Sequence, residues 1–157
     1  MTERKKNTRT PELYNRKARF EYHFVDTYEA GLQLQGTEIK SIRKGNANLN
    51  DAYCTFEHGE LFIRNMYIAE YDNGTYANHE PRRIRKLLLK HRELHKLERR
   101  VSEKGMTIVP FHLYFNERGF VKIEIALAMG KKAFDKRNTI KERDNKREMD
   151  QLKKIRL

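Results

Sequence analysis

Two histidines spaced four residues apart are the first side chains in this sequence that could support chemistry. His91 and His95 lie at i and i+4 of a predicted helix, where two imidazoles can share a zinc ion. Glu93 falls between them as H-x-E-x-H, whereas zinc peptidases place this general base directly after the first histidine. The neighbouring cations Arg92 and Lys96 would repel a dication. We therefore predict no bound metal. A metalloenzyme that uses His91 and His95 ranks third among the functions considered for this sequence.

Other catalytic patterns are not recognisable in the sequence. It contains no G-x-S-x-G, no glycine-rich phosphate loop and no paired carboxylate signature. Cys54, the only cysteine, falls in a predicted strand and is interpreted as a small core residue, and one cysteine excludes an intrachain disulfide. Glu29, beside Gly31, is either a turn acid or an acceptor for base edges. We predict a protein that is not an enzyme and needs no cofactor.

The charge balance points to a polyanionic partner. The chain of 157 residues has 34 Lys and Arg against 22 Asp and Glu, a net charge of +12. The segment from Arg82 to Arg100 contains nine basic residues and only two glutamates. This excess predicts either a phosphate-binding surface or a solvated helix face. A membrane-spanning helix takes about 20 residues, and the uncharged stretches of this sequence are much shorter. No apolar segment follows the N-terminal cations, so no secretory signal is predicted. A cytoplasmic location is expected.

The charge is concentrated at the two ends, which suggests a central domain with two basic extensions. Residues 1–19 carry a net charge of +5 and residues 131–157 a net charge of +6, whereas the centre is nearly neutral. Fourteen of the sixteen Phe and Tyr residues lie between Phe20 and Phe120. We predict an N-terminal arm with a short helix (1–19), a core domain (20–130) and a tail (131–157). Since residues 141–148 offer no apolar side chain, the tail is expected to be disordered when free and helical against an anionic partner.

Alternating apolar residues predict that the core is mainly β-structure. Phe20 to Phe24 and Leu32 to Gln35 have period 2 and are interpreted as paired strands. Two hairpins are predicted, one around Gly59 and one around Gly119. Thr37 is a candidate N-cap for a short helix, and a longer helix is predicted from about Ile84 to Glu103. About six antiparallel strands with two or three helices suggest a small closed barrel of the OB type.

Six segments, in order along the chain, resemble the family of bacterial tmRNA-binding small protein B. They are Asn15 to Arg19, Tyr28 to Gly31, Gly36 to Arg43, Arg85 to Leu89, Gly130 to Lys132 and Asp135 to Arg137. The resemblance implies an OB-like barrel that binds the tRNA-like domain of tmRNA and delivers it to stalled ribosomes for trans-translation, without chemistry of its own.

The same resemblance implies which residues act. On the RNA-binding surface it implies Asn15, Glu29 and Leu89, with the basic neighbours Arg16, Lys17, Arg19 and Lys86. In the tail it implies Asp135, Lys136 and Arg137 on the ribosome, with Gly130, Lys131 and Lys132 beside them. The expected partners are tmRNA and the ribosomal decoding centre and mRNA channel, with no membrane. The alternative function is a structural ribosomal protein or general RNA chaperone of OB fold, which has no need of the Asp135-Lys136-Arg137 element.

Overall fold

Strands dominate the computed structural model, which describes residues 10–72 and 78–131 together with residues 143, 146, 147, 149 and 150. These five separately described residues between 143 and 150 have helical backbone. The helices with complete bounds are α1 (Arg16–Glu21), α2 (Gly36–Arg43) and α3 (His91–Lys104). The strands are β1 (Leu13–Tyr14), β2 (Tyr22–Leu32), β3 (Ala47–Asn48), β4 (Tyr53–Glu57), β5 (Glu60–Arg64), β6 (Tyr67–Ile68), β7 (Arg85–Leu88), β8 (Thr107–Phe115) and β9 (Val121–Gly130). Among the described residues, no helix is both long enough and apolar enough to span a bilayer.

Six strands form a closed ring of antiparallel pairs. Their order is β8-β4-β5-β7-β2-β9, and β9 pairs back with β8. β1 adds to β8 outside the ring, and β3 and β6 form a separate two-stranded sheet. The ring has the number of strands that the sequence predicts.

Alternation along β9 shows how the sequence fills both faces of the ring. Ile123 and Ile125 are fully buried in the main core cluster. Ala126 and Ala128 are buried as well, because they belong to a second cluster with Ala18 of α1. The same cluster contains Val109 and Phe111 of β8, and α1 packs against β8 and β2. α1 is thereby fixed on the ring.

Both predicted hairpins are confirmed. Tyr53–Glu57 pairs with Glu60–Arg64, and Thr107–Phe115 pairs with Val121–Gly130. Cys54 is buried in the core as predicted, and burial raises the pKa of its thiol. Adjacent strands joined by short glycine-containing turns are local features, and they are therefore visible in the sequence.

The predicted long helix is wrong in its first part. Arg85–Leu88 form β7, which pairs with β5 and β2, and the helix begins at His91. Arg85 and Leu87 are buried, whereas Lys86 and Leu88 are more exposed, which is the period of a strand. The basic run from Arg82 to Arg100 is therefore divided between a loop, a strand and a helix and does not lie on a single helix.

Two further local predictions are corrected. The two period-2 segments are not separate strands, because Tyr22–Leu32 is one continuous strand and Phe20 lies in α1. A register shift between Phe24 and Asp26 interrupts its pairing with β9. The N-cap of α2 is Gln35 rather than Thr37, since the Glu38 side chain accepts a hydrogen bond from the Gln35 N–H (2.9 Å).

A buried ion cluster joins α2 to β7. Both carboxylate oxygens of Glu38 accept from guanidinium groups, one from Arg83 at 2.6 Å and the other from Arg85. Glu38 and Arg85 are both fully buried. Burial acts to raise the pKa of Glu38, but the Gln35 N–H and the two guanidinium groups outweigh it and hold this pKa below its ordinary value. Burial lowers the pKa of Arg85 in spite of the opposing effect of Glu38.

Candidate nucleic-acid interface

A row of stacked rings lies on the outer surface of the ring, across β1 and β8. Strand register places Tyr14 opposite His112, and Tyr114 is two residues further along the same face of β8. The Tyr14 and His112 rings stack at 4.4 Å, and the His112 and Tyr114 rings at 4.8 Å. We call Tyr14, His112 and Tyr114 the aromatic row. Tyr14 is 55% exposed, and exposed aromatic rings are the kind of surface on which RNA bases stack.

An exposed glutamate lies at the end of the aromatic row. The Tyr114 hydroxyl donates to Oε2 of Glu29 on β2. Burial and this hydrogen bond raise the pKa of Tyr114, so the phenol remains a donor. Within the described part of the chain, the other oxygen of Glu29 has no hydrogen-bond partner. Glu29 is therefore held in place with one acceptor free for an external donor.

The centre of this surface is acidic, although the protein is strongly basic. The two ring nitrogens of His112 lie 3.6 Å from Glu12 and 3.5 Å from Glu124. Glu124 is opposite both Glu29 and His112 in the strand register. Carboxylates repel phosphates but accept hydrogen bonds from base amino groups and ribose 2′-hydroxyls. The surface thus has acceptors where a purely electrostatic RNA binder would have only donors.

Cations flank the exposed end of the aromatic row. Tyr14, Arg16, Arg19 and Phe111 surround a hollow of about 270 Å³. The Arg19 guanidinium lies 5.5 Å from the centre of the Phe111 ring. Arg16 and Arg19 are both exposed on α1. They can contact phosphates on either side of a base stacked on Tyr14.

Comparison with known proteins assigns the chain to a family. The sequence profile described as "SmpB protein" matches residues 12–155. The chain belongs to the SmpB family. It is 53% identical to an SsrA-binding protein of Christiangramia forsetii over 142 residues, covering 90% of each chain. It is 56% identical to that of Phocaeicola vulgatus over 140 residues, covering 89% of this chain and 93% of the relative.

A solved structure supports the same assignment. It is described as "tmRNA-SmpB: a journey to the center of the bacterial ribosome" and aligns with a TM-score of 0.66 at 52% identity. The alignment covers 78% of this chain and 86% of that one. The family resemblance noted from six sequence segments is thereby confirmed.

Asn15 has a structural position within this SmpB-family fold. It is the N-cap of α1, where its Oδ1 accepts from the Ala18 N–H at 3.2 Å. Its Nδ2 donates to the carbonyls of Leu49 (3.2 Å) and Pro110 (3.4 Å), and the residue is 6% exposed. Asn15 thus fixes α1, together with Arg16 and Arg19, beside the aromatic row. Direct contact with RNA stays a prediction.

Other sequence-predicted residues of the SmpB-family site are distributed more widely. Lys17 faces Glu21 at 3.8 Å and Asp51 at 3.6 Å, and Lys86 donates to Glu60 at 2.8 Å. Leu89 follows β7 and packs partly against the core. Gly130 ends β9, and the Lys131 N–H donates to the Glu21 carbonyl. The predicted residues Lys132, Asp135, Lys136 and Arg137 lie outside the described residues.

Sequence reasoning missed the aromatic row. Tyr14 is far along the chain from His112 and Tyr114, which lie two residues apart in one strand. Only the pairing of β1 with β8 aligns them, and that pairing joins residues about 100 positions apart. The strand predicted for Thr107 to Phe115 was the one available signal, since side chains two residues apart in a strand share a face.

The histidine pair on α3 provides a test of the non-enzymatic interpretation. The Nε2 atoms of His91 and His95 lie 2.9 Å apart, and both residues are exposed. Among the described residues, no group of three or more potential ligands is present to complete a metal site. We expect elemental analysis of the purified protein to find no stoichiometric zinc. About one zinc per chain, lost in His91→Ala together with RNA binding, would contradict this prediction.

Proposed function

We propose that this chain binds the tRNA-like domain of tmRNA and delivers it to stalled ribosomes for trans-translation. RNA binding is supported above all by one observation, the exposed Glu29 that Tyr114 holds at the end of the aromatic row. The RNA is identified by the relatives, which are named SsrA-binding proteins, and by the matched tmRNA-SmpB structure. A ribosomal partner implies a cytoplasmic location, and the protein performs no catalysis.

The proposed mechanism begins with an OB-like barrel, formed by the ring of six strands, that grips folded RNA by shape. Bases or riboses pack on the aromatic row, and Glu29 accepts hydrogen bonds from RNA donors. Arg16 and Arg19 contact neighbouring phosphates. The proposed RNA-binding residues are Asn15, Arg16, Lys17, Arg19, Glu29, Lys86 and Leu89.

The second part of the mechanism belongs to the tail. The tail (131–157) occupies the empty mRNA channel beyond the decoding centre and mimics codon pairing. It is a separate segment from the arm (1–19) and the core domain (20–130). The tail has a net charge of +6, which favours its binding to the phosphates of ribosomal RNA. The described tail residues, which lie between 143 and 150, have helical backbone. We propose that this helix is not stable in the free tail and becomes ordered on the ribosome. Its proposed acting residues are Lys131, Lys132, Asp135, Lys136 and Arg137, together with Gly130 at the end of β9.

Replacement of Glu29 tests the RNA surface. Glu29→Gln is expected to weaken tmRNA binding about tenfold, because a hydrogen bond to a charged acceptor becomes a neutral one. Tyr114→Phe keeps the stacked ring but removes the donor that holds Glu29, and a smaller loss is expected. Filter binding at fixed salt measures both. The exposed acid Glu70, outside the aromatic row, provides Glu70→Gln as the matched control.

Two further variants complete the series. Asn15→Ala and Leu89→Asp are also expected to weaken binding. Each also removes contacts within the fold, and loss of the N-cap alone costs about 1 kcal/mol of stability. Circular dichroism must therefore show that each variant is folded under the binding conditions. Unchanged affinity in all the folded variants would contradict the proposed surface.

A further inference from the structure

His112, in the middle of the aromatic row, has a carboxylate at each of its ring nitrogens. Its Nε2 lies 3.6 Å from Oε2 of Glu12, and its Nδ1 lies 3.5 Å from Oε1 of Glu124. An ionised carboxylate only accepts hydrogen bonds, and a neutral imidazole has a single N–H, so it can donate to one of the two acids at most. Nε2 is buried and has no hydrogen-bond partner among the described residues. Only the doubly protonated, cationic ring presents an N–H to both carboxylates.

The two tyrosines of the row hold the His112 ring in this position. The planes of Tyr14 and His112 are nearly parallel, with 6° between them, and those of His112 and Tyr114 differ by 24°. The Tyr14 hydroxyl donates to Oε2 of Glu12 at 2.8 Å, and this hydrogen bond raises the pKa of Tyr14, so the phenol remains a donor. Aromatic faces attract a cation placed against them. The row can therefore accommodate a charged His112 without rearrangement.

The charged groups around His112 are mostly acidic. Glu12 precedes β1, and Glu124 on β9 lies opposite Glu29 on β2 in the strand register. Glu29 in turn accepts from the Tyr114 hydroxyl. Arg19 on α1 is the cation at the exposed end of the row. A proton on His112 therefore removes one unit of the negative charge that an approaching RNA phosphate meets at the centre of this surface.

We propose that His112 is the proton-dependent counter-ion of the RNA surface, and that tmRNA binds more tightly when this ring carries its charge between Glu12 and Glu124. Histidine side chains change charge between about pH 5 and pH 8. RNA affinity should therefore rise as the pH falls through this range, and by linkage the binding of RNA should take up protons from solution. His112 is a positioning residue, since it acts through the two carboxylates. This inference rests on the proposed RNA-binding function and adds its regulation by pH.

Substitutions at position 112 test the charge of the ring. The unchanged protein is expected to bind tmRNA about fivefold more tightly near pH 6 than near pH 8, a modest coupling between two linked events. His112→Gln can donate a hydrogen bond but never carries a charge, so its affinity should stay at the level that the unchanged protein has near pH 8. His112→Arg carries a planar cation at every pH, and near pH 8 it should bind as tightly as the unchanged protein binds near pH 6. Circular dichroism must show that both variants are folded.

Two exposed histidines outside the aromatic row provide matched controls. His23→Gln and His58→Gln should both retain the pH dependence of the unchanged protein. Filter binding at fixed salt over this pH range measures the affinities. Calorimetry in two buffers of different ionisation enthalpy measures the protons taken up when tmRNA binds. We expect proton uptake by the unchanged protein and the two controls, and less by His112→Gln and His112→Arg.

The possible results separate this inference from the proposed function. Tight tmRNA binding that does not vary with pH in the unchanged protein would overturn the inference and leave the proposed function intact. The same holds if His112→Gln keeps the full pH dependence, or if His23→Gln or His58→Gln loses it. If folded His112→Arg binds near pH 8 as weakly as His112→Gln, the charge at position 112 is not the cause, and the inference fails. No tmRNA binding at any pH would overturn the proposed function, and the inference with it.

Discussion

Deleting residues 131–157 is expected to leave tmRNA binding nearly unchanged and to abolish tagging of stalled proteins in a reconstituted translation assay. The aromatic row and Glu29 precede this segment, so the proposed RNA surface remains. The tail carries eleven Lys and Arg against five acids, but its proposed partner is ribosomal RNA, so its loss should also leave the salt dependence of tmRNA binding nearly unchanged. Filter binding near physiological salt and the tagging yield measure the two effects separately.

A triple substitution distinguishes a specific tail from a polycation. Asp135→Ala with Lys136→Ala and Arg137→Ala removes two cations and one acid, a net charge change of only −1. We expect this variant to lose most of its tagging activity, because the proposed contacts with the ribosome depend on these residues. The combination Asp150→Ala, Lys153→Ala and Lys154→Ala makes the same change in net charge elsewhere in the tail. It should retain tagging.

Equal tagging by the two triple variants would contradict the specific mechanism. If both tag normally, the tail acts through its total charge, and a structural ribosomal protein or RNA chaperone becomes the better interpretation. The disorder expected for the free tail is measured separately, from backbone amide chemical shifts before and after ribosome binding. Fixed helical shifts for residues 131–157 in the free protein would contradict that expectation.

The hairpins could be predicted from the sequence because their information is local. The β8–β9 turn contains Asn116 and Gly119, whose side chain and backbone conformation fix the turn within five residues. The role of Glu29 could not be predicted in this way, because its hydrogen-bond partner Tyr114 is 85 residues away. Spacing along the chain left its role open between a turn acid and an RNA acceptor, and only the pairing of β2, β9 and β8 brings the two side chains together.

The segment Arg85–Leu88 was misassigned because its composition favours a helix. Arg, Lys and Leu all have high helix propensity, and the leucines further along continue a helical period. Pairing with β5 and β2 on both sides overrides that preference. The buried position of Arg85 was equally hidden, because a basic residue in a basic run is normally solvated and its carboxylate partner is 47 residues earlier.

The buried ion cluster gives the largest expected effect on stability. Glu38→Gln is expected to lower the free energy of unfolding by about 3–5 kcal/mol, because Arg85 is left buried without its counter-charge. Glutamine can still accept the Gln35 N–H, so the start of α2 is preserved and the change reports mainly on charge. Urea unfolding followed by circular dichroism measures the loss.

An exposed ion pair in the same sheet provides the control. Lys86 and Glu60 lie 2.8 Å apart with side chains 34% and 49% exposed, and Glu60→Gln should cost less than about 1 kcal/mol. The double variant Glu38→Leu with Arg85→Met should recover part of the stability lost in Glu38→Gln, since no buried charge remains. Equal, small effects of Glu38→Gln and Glu60→Gln would show that the cluster is not a major source of stability.

The cluster also predicts how stability depends on pH. The pKa of Glu38 is below its ordinary value of 4.5, so the folded protein favours the ionised carboxylate. Its contribution to stability is therefore fully present above about pH 4.5 and is lost as the pH falls through the lower folded-state pKa. The unfolding free energy of the unchanged protein should decrease over this acid range, and that of Glu38→Gln should decrease less. Urea unfolding of both proteins at a series of acid pH values measures the difference, and an equal decrease in the two would contradict this role of Glu38.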